Sequence, residues 1–310
     1  MTEPANLVIA ASEDESVNFV SMGDKGIFEA RYVRRTEDYM IAYLSSHAGC
    51  DRSCRFCHLT ATGQTSMVPA AVEDYADQIG RILDHHDDRE MRPRRMNVNF
   101  MARGEPFMNP VLRSAHEWSR FRRAVRDRAS ASGIGDVRYN VSSIMPRMES
   151  GASIPEPLVE EDVTLYYSLY SMRPAFRRRW LPKAMDPTRA LADLAEWQER
   201  TRNPVVLHWA FIAGENDDEE TIREIVDAVG ASGLRPRFNA VRYNPFDERR
   251  GREPSIETIE RCFAALASAF GDPTSRIVPR VGYSAKASCG MFVDREGSIQ
   301  ESVVDPTPAS

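Results

Sequence analysis

Residues 45–57 read Ser45-Ser46-His47-Ala48-Gly49-Cys50-Asp51-Arg52-Ser53-Cys54-Arg55-Phe56-Cys57. Three thiols fall on one short loop, separated by three residues and then by two. The loop follows a run at residues 39–46 whose aromatic and aliphatic side chains are those of a strand. A structural zinc site ordinarily takes four ligands in two closely spaced pairs. No second pair follows here, and only the adjacent His58 could join. Three thiolates can instead hold three irons of a cubane and leave the fourth iron open. The chain has 5 cysteines among 310 residues, so chance explains the spacing poorly. In a long chain without a disulfide framework they point to metal or catalysis. Phe56, between the last two thiols, is placed to shield a cluster.

Working outward, short apolar runs alternate with longer amphipathic stretches. Strands are predicted at residues 39–46, 96–102, 137–144, 163–170, 205–212, 237–244 and 276–281. Helices are predicted at 69–86, 110–128, 187–200, 219–232 and 255–270, several opened by proline or a polar cap. This alternation implies βαβ units and a parallel sheet that curls into a barrel, with ligands at the carboxyl ends of the strands. The expected fold class is therefore α/β, a partial (β/α)6 TIM-like barrel. Residues 18–35 read as a β-hairpin turning at Gly23-Asp24-Lys25-Gly26. The expected organisation is an N-terminal extension with this hairpin (1–38), a barrel domain (39–295) and a flexible tail (296–310).

The formal net charge is −6. A nucleic-acid partner would thus be met by local basic patches, not by the field of the whole molecule. Candidates are residues 92–95, 120–128, 177–179 and 249–252, each equally readable as a solvated helix face or loop. No apolar run approaches membrane-spanning length, and residues 1–16 are acidic, unlike a signal peptide. A cytoplasmic location is expected.

The thiol loop resembles the CxxxCxxC hallmark of the radical S-adenosylmethionine (SAM) superfamily. More narrowly, residues 18–292 resemble the RlmN/Cfr family of RNA adenosine methyltransferases. Ser45-Ser46-His47-Ala48-Gly49-Cys50 is similar to the family's SSQxGC, and Gly104-Glu105-Pro106 to its GEP. Ser142 stands at its SAM-contacting serine. Ser168-Leu169-Tyr170 is similar to its SLH, Asn244-Pro245-Phe246 to its NPF, and Ser288-Cys289-Gly290-Met291 to its ACGQ. Glu29 stands at its general base. The resemblance implies a [4Fe–4S] cluster on Cys50, Cys54 and Cys57. It implies SAM held by Gly104, Glu105, Ser142, Ser168, Leu169, Tyr170 and Asn244, with Glu29 and Cys289 as catalytic residues.

The implied reaction methylates carbon 2 or carbon 8 of an adenosine in rRNA or tRNA. Cys289 takes a methyl group from one SAM; a radical from a second SAM activates that methyl for addition to the base. Glu29 removes the ring proton, and a second cysteine releases the product by forming a disulfide. An electron donor such as flavodoxin or ferredoxin is implied as a partner. The family's second cysteine stands seven residues before the first cluster ligand, and here that residue is Tyr43. The remaining cysteine, Cys262, recurs with the apolar residues of its helix and is expected in the core. Two other readings accompany this one: a radical SAM enzyme acting on a non-RNA substrate, and a metal-binding, RNA-associated protein that has lost catalysis.

Overall fold

The computed structural model describes residues 5–34, 36–88 and 93–296. The expected tail therefore lies outside the described residues, apart from residue 296. Among the described residues, ten strands form one sheet in chain order. Strands β1 (Ala5–Ala10), β2 (Val17–Gly23), β3 (Gly26–Arg34) and β4 (Tyr39–Tyr43) pair antiparallel. From β4 onward every pairing is parallel: β5 (Arg95–Phe100), β6 (Asp136–Ser143), β7 (Val163–Tyr167), β8 (Val205–Ala210), β9 (Arg237–Val241) and the two-residue β10 (Arg276–Ile277). This is the expected α/β partial barrel.

The hairpin is where the sequence places it, with Gly23 opposite Gly26. Gly26 takes a φ of +107°, open to glycine and strained for other residues. Strand β1 is an addition. Residues 5–10 pair with β2 in full register; their run Leu7-Val8-Ile9-Ala10 is apolar and partly β-branched, as suits a strand, but only four residues long.

Helices α1 (His58–Ala61) and α2 (Val72–Asp87) link β4 to β5. The predicted single helix at 110–128 is two pieces, α3 (Pro110–Arg113) and α4 (Ala115–Ala131). Ser114 breaks the run in an extended conformation, and its Oγ accepts from Glu117 N at 3.3 Å as an N-cap. Helix α5 (Pro174–Trp180) is another unpredicted element, too short for its period to register. Helices α6 (Pro187–Thr201), α7 (Glu219–Ser232) and α8 (Ile256–Phe270) complete the outer layer. They open on Asp186, Asp218 and Ser255, whose side chains accept from backbone N–H groups of the first turn. Rings of Tyr75, Phe100, Trp118, Phe121 and Tyr139 lock α2 and α4 onto β5 and β6, with centroids 5.1–6.1 Å apart. Apolar burial of this kind contributes roughly 1.5–3 kcal/mol per large side chain. It holds the strand ends, and the loops that leave them, in fixed positions.

Candidate active site

The loops leaving β4, β5, β6 and β7 meet at the carboxyl end of the barrel around a pocket of about 830 Å³. Cys50, Cys54 and Cys57 all line it. The loop that carries them is folded by close backbone approach. Cys50 N donates to Gln64 O at 3.0 Å and Ala48 N to Val68 O at 2.9 Å. A Cβ on Gly49 would stand 2.5 Å from Gln64 O, so only glycine fits there. Cys57 N closes the turn onto Cys54 O at 3.1 Å. The ring of Phe56 stacks on Tyr170 at 4.6 Å, walling one side.

Burial, reinforced by the neighbouring thiols, pushes Cys50 and Cys54 upward; burial also raises Cys57, against backbone N–H groups of Leu59 and Thr60. Three such thiols become thiolates only with cationic charge among them. Among the described residues, no group of three His, Cys, Asp or Glu side chains is arranged to hold a metal ion. All three cysteines line one pocket, and a cubane takes one thiolate at each of three irons, whereas structural zinc takes four ligands. Their chemistry and placement fit a cluster better than zinc.

Gly104 and Glu105 follow β5. Gly104 takes a φ of +97°, and a Cβ there would meet Ser46 Oγ at 2.5 Å. Glycine lets the loop cross the thiol strand. Glu105 is 4% exposed. Its carboxylate accepts from Phe107 N at 3.1 Å and Ile144 N at 3.2 Å. Burial outweighs these bonds and the Ser143 hydroxyl, and raises its pKa to about 7. An ammonium entering the pocket would find a carboxylate short of a cation.

Ser142, Ser168 and Tyr170 also line the pocket. Leu169 does not. Its side chain is fully buried, and its carbonyl accepts from Arg177 Nη1 at 2.9 Å. Asn244 lies apart from the pocket lining as well. Its Nδ2 donates to Cys289 O at 2.9 Å, and its buried Oδ1 has no partner among the described residues. Asn244 instead lines a second cavity of about 820 Å³ inside the barrel, together with Tyr43, Asn97, Asn99, Asn140 and Asn239. Cys289 lines both cavities and is exposed. Its thiol stands between the triad's pocket and the polar lumen.

Glu29 has surroundings its expected role did not anticipate. It is 0% exposed. Oε1 accepts from Arg103 Nη1 at 2.7 Å and Val293 N at 3.1 Å; Oε2 accepts from Asn18 Nδ2 at 2.8 Å and Arg31 Nη2 at 3.0 Å. Burial alone would raise its pKa, but the two guanidiniums win and hold it below the ordinary glutamate value. Cys262 lies elsewhere, buried on α8, its thiol 3.3 Å from Asp217 O on the outer layer.

Sequence reasoning missed Ser143, which bonds Glu105, and the arginines at 31 and 103. An arginine on a hairpin strand, like Arg31, or in a loop beside a turn, like Arg103, reads as a surface residue; only the tertiary structure reveals that these two are buried. The basic patches are largely neutralised within the chain. Arg120, Arg122, Arg126 and Arg128 pair with carboxylates, and Arg177 is buried.

The fold is an α/β partial barrel whose thiol-lined pocket lies at the carboxyl ends of its strands. A crystal structure of a radical SAM methyltransferase from Sphaerobacter thermophilus superposes with a TM-score of 0.72, covering 94% of this chain and 81% of that one at 20% identity. The hydrogenase maturase HydG shares the fold more loosely, with a TM-score of 0.50 at 14% identity over 75% of this chain and 50% of that one.

The chain is a homologue of proteins named probable dual-specificity RNA methyltransferase RlmN. That from Koribacter versatilis is 28% identical over 256 residues, 80% of this chain and 67% of that protein. That from Synechococcus sp. (strain CC9311) is 29% identical over 266 residues, 83% of this chain and 70% of that protein. No family model matches the chain. Among the described residues, no helix is long and apolar enough to cross a membrane.

Proposed function

We propose that this chain is a radical SAM methyltransferase that modifies carbon 2 or carbon 8 of an adenosine in rRNA or tRNA, through a methyl group carried on Cys289. The observation that carries the reading is the exposed Cys289 thiol, which lines the same pocket as Cys50, Cys54 and Cys57. The RlmN homologues supply the substrate class. We divide the chain into an extension (1–38), the barrel (39–295) and a tail (296–310), and assign it to the cytoplasm.

Cys50, Cys54 and Cys57 would hold a [4Fe–4S] cluster, and Glu105 would accept from the ammonium of SAM. The bound cluster and SAM supply a 5′-deoxyadenosyl radical, with the electron coming from a donor such as flavodoxin or ferredoxin. Gly104 permits the close backbone crossing, Ser142 and Ser168 offer hydroxyls, and Phe56 with Tyr170 excludes water. Leu169 contributes by fixing the segment between Ser168 and Tyr170. Asn244 fixes the Cys289 carbonyl and leaves its amide oxygen for a donor in the lumen. The substrate base would meet Cys289 from the lumen side, where asparagine amides can both donate and accept. With Tyr43 in that cavity and Cys262 on the outer layer, release of product from Cys289 requires a thiol from outside the chain.

The test is Cys289→Ala incubated with SAM, reductant and RNA. Methylated adenosine is expected only with the wild-type chain; its appearance with the variant would refute the Cys289 route. The lumen also favours a second reading, because its asparagine amides beside Cys289 could meet a small polar substrate as readily as a base. Formation of 5′-deoxyadenosine with no methylation across total cellular RNA would select that reading. Formation of 5′-deoxyadenosine in the same assay would exclude a protein that has lost catalysis.

A further inference from the structure

The segment that carries Cys289 has no regular secondary structure, yet its backbone is held at nearly every residue. Arg31 Nη1 donates to Ser288 O at 3.3 Å, and Arg31 Nη2 donates to Met291 O. Asn244 holds Cys289 O, and His58 N donates to Gly290 O at 3.1 Å. Val293 is held at both ends. Its N–H donates to Glu29 Oε1, and its carbonyl accepts from Gln64 Nε2 at 2.8 Å. The Phe292 ring lies under two cations, 4.8 Å from the Arg31 guanidinium carbon and 5.8 Å from that of Arg103.

These contacts converge on one carboxylate. Glu29 binds Arg31, Arg103 and the Val293 N–H directly. Arg103 reaches on to Ala48 O at 2.8 Å and to Gln64 Oε1. The loop preceding the triad, the segment after it, the hairpin and the Cys289 segment are thus tied through one buried group. A general base needs an oxygen open to its substrate and a proton affinity suited to taking a proton. Glu29 has four donors on two oxygens, no exposure, and lines neither cavity.

We propose that Glu29 is a positioning residue for Cys289, forming with Arg31 and Arg103 a buried charged clamp that holds residues 288–293 over the triad's pocket. The clamp is a property of the folded chain; its consequence for catalysis rests on the proposed role of Cys289. Arg103, beside the Gly-Glu-Pro turn, is the part that most separates the two roles. It ties the clamp together and at the same time suppresses any basicity of Glu29.

The experiment compares wild type, Glu29→Gln, Glu29→Asp and Arg103→Met as reconstituted proteins. Two readouts are taken: hydrogen exchange of the Met291 and Val293 amides, whose N–H groups are bonded in the segment, and the rate of Cys289 methylation. Arg103→Met leaves a one-to-one Glu29–Arg31 pair, so it remains informative should Glu29→Gln fail to fold. The clamp predicts exchange faster by about tenfold or more in Glu29→Gln and Arg103→Met, while helix α8 keeps its protection. It also predicts slower Cys289 methylation in both, with partial recovery in Glu29→Asp. Unchanged exchange and methylation in both variants, with only the later release of methylated base lost in Glu29→Gln, would overturn it. So would normal or faster product formation in Arg103→Met. The exchange measurement needs no activity, so a wild-type chain with no methyl on Cys289 would count against the proposed function and leave the clamp to be decided separately.

Discussion

The two cysteine-bearing segments of the site are held in opposite ways. The Cys50–Cys57 loop is made locally: glycines at close crossings, backbone bonds to residues 64–68, and three cysteines that line one pocket. The Cys289 segment is made by distant side chains, from Arg31 on the hairpin to Gln64 and Asn244, and it presents an exposed thiol. Under the proposed function, the triad must stay fixed to hold a cofactor, whereas the Cys289 thiol must stay accessible to a large substrate. Anchoring the backbone by side chains meets that second need without burying the sulfur.

The largest expected effect falls on the local segment. Cys54→Ser should abolish reductive SAM cleavage and lower iron content, read by 5′-deoxyadenosine formation and iron analysis. Normal cleavage would remove the triad from the chemistry.

The next effect falls on the distant anchoring. Arg31→Met together with Arg103→Met strands Glu29 without a cation. Breaking a buried pair costs about 3–5 kcal/mol, measurable by denaturant unfolding. A loss under about 1 kcal/mol would mean the clamp is not desolvated as described.

Glu105 makes the triad's pocket sensitive to pH. Its pKa is raised to about 7 from 4.5. In the ligand-free protein the folded state therefore binds the proton more tightly than the unfolded state. The stability this contributes is full below about pH 4.5 and lost as pH rises through about 7, by roughly 3 kcal/mol. Glu105→Gln should flatten that dependence and weaken SAM binding. For wild type, SAM affinity should strengthen as pH rises through about 7.

Tyr43→Cys sharpens the comparison at the lumen, which Tyr43 and Cys289 share. It should make product release independent of added thiol. It should also allow a disulfide between the introduced thiol and Cys289, detectable by peptide mapping. The smallest effect belongs to Cys262→Ser, on the outer layer, which should leave SAM cleavage and release unchanged.

How much the sequence disclosed follows the same division. Cysteine spacing, the Gly-Glu-Pro turn and alternating apolar runs are local signals, and they led to the barrel and to the pocket lined by Cys50, Glu105, Ser142 and Ser168. Strand β1 rests on a four-residue apolar run, Leu7-Val8-Ile9-Ala10, too short to be assigned until β2 offers it an edge. The break at Ser114 competes with helix-forming neighbours on both sides. Glu29 was visible as a residue of interest, but whether it acts as a base or an anchor depends on Arg31 and Arg103. Arg103 is 74 residues away in sequence, and no periodicity carries that pairing. Asn244 likewise matched a cofactor motif, while its side chain turns to the Cys289 carbonyl and the lumen.

The central claim is that Cys289 carries the group to be transferred. Mass spectrometry of peptides from the reconstituted protein, after incubation with SAM and a reductant, tests it most directly. The account predicts one methyl group on the peptide containing Cys289, and none on the peptide containing Cys262. An unmodified Cys289 in protein that forms methylated RNA under the same conditions would contradict it.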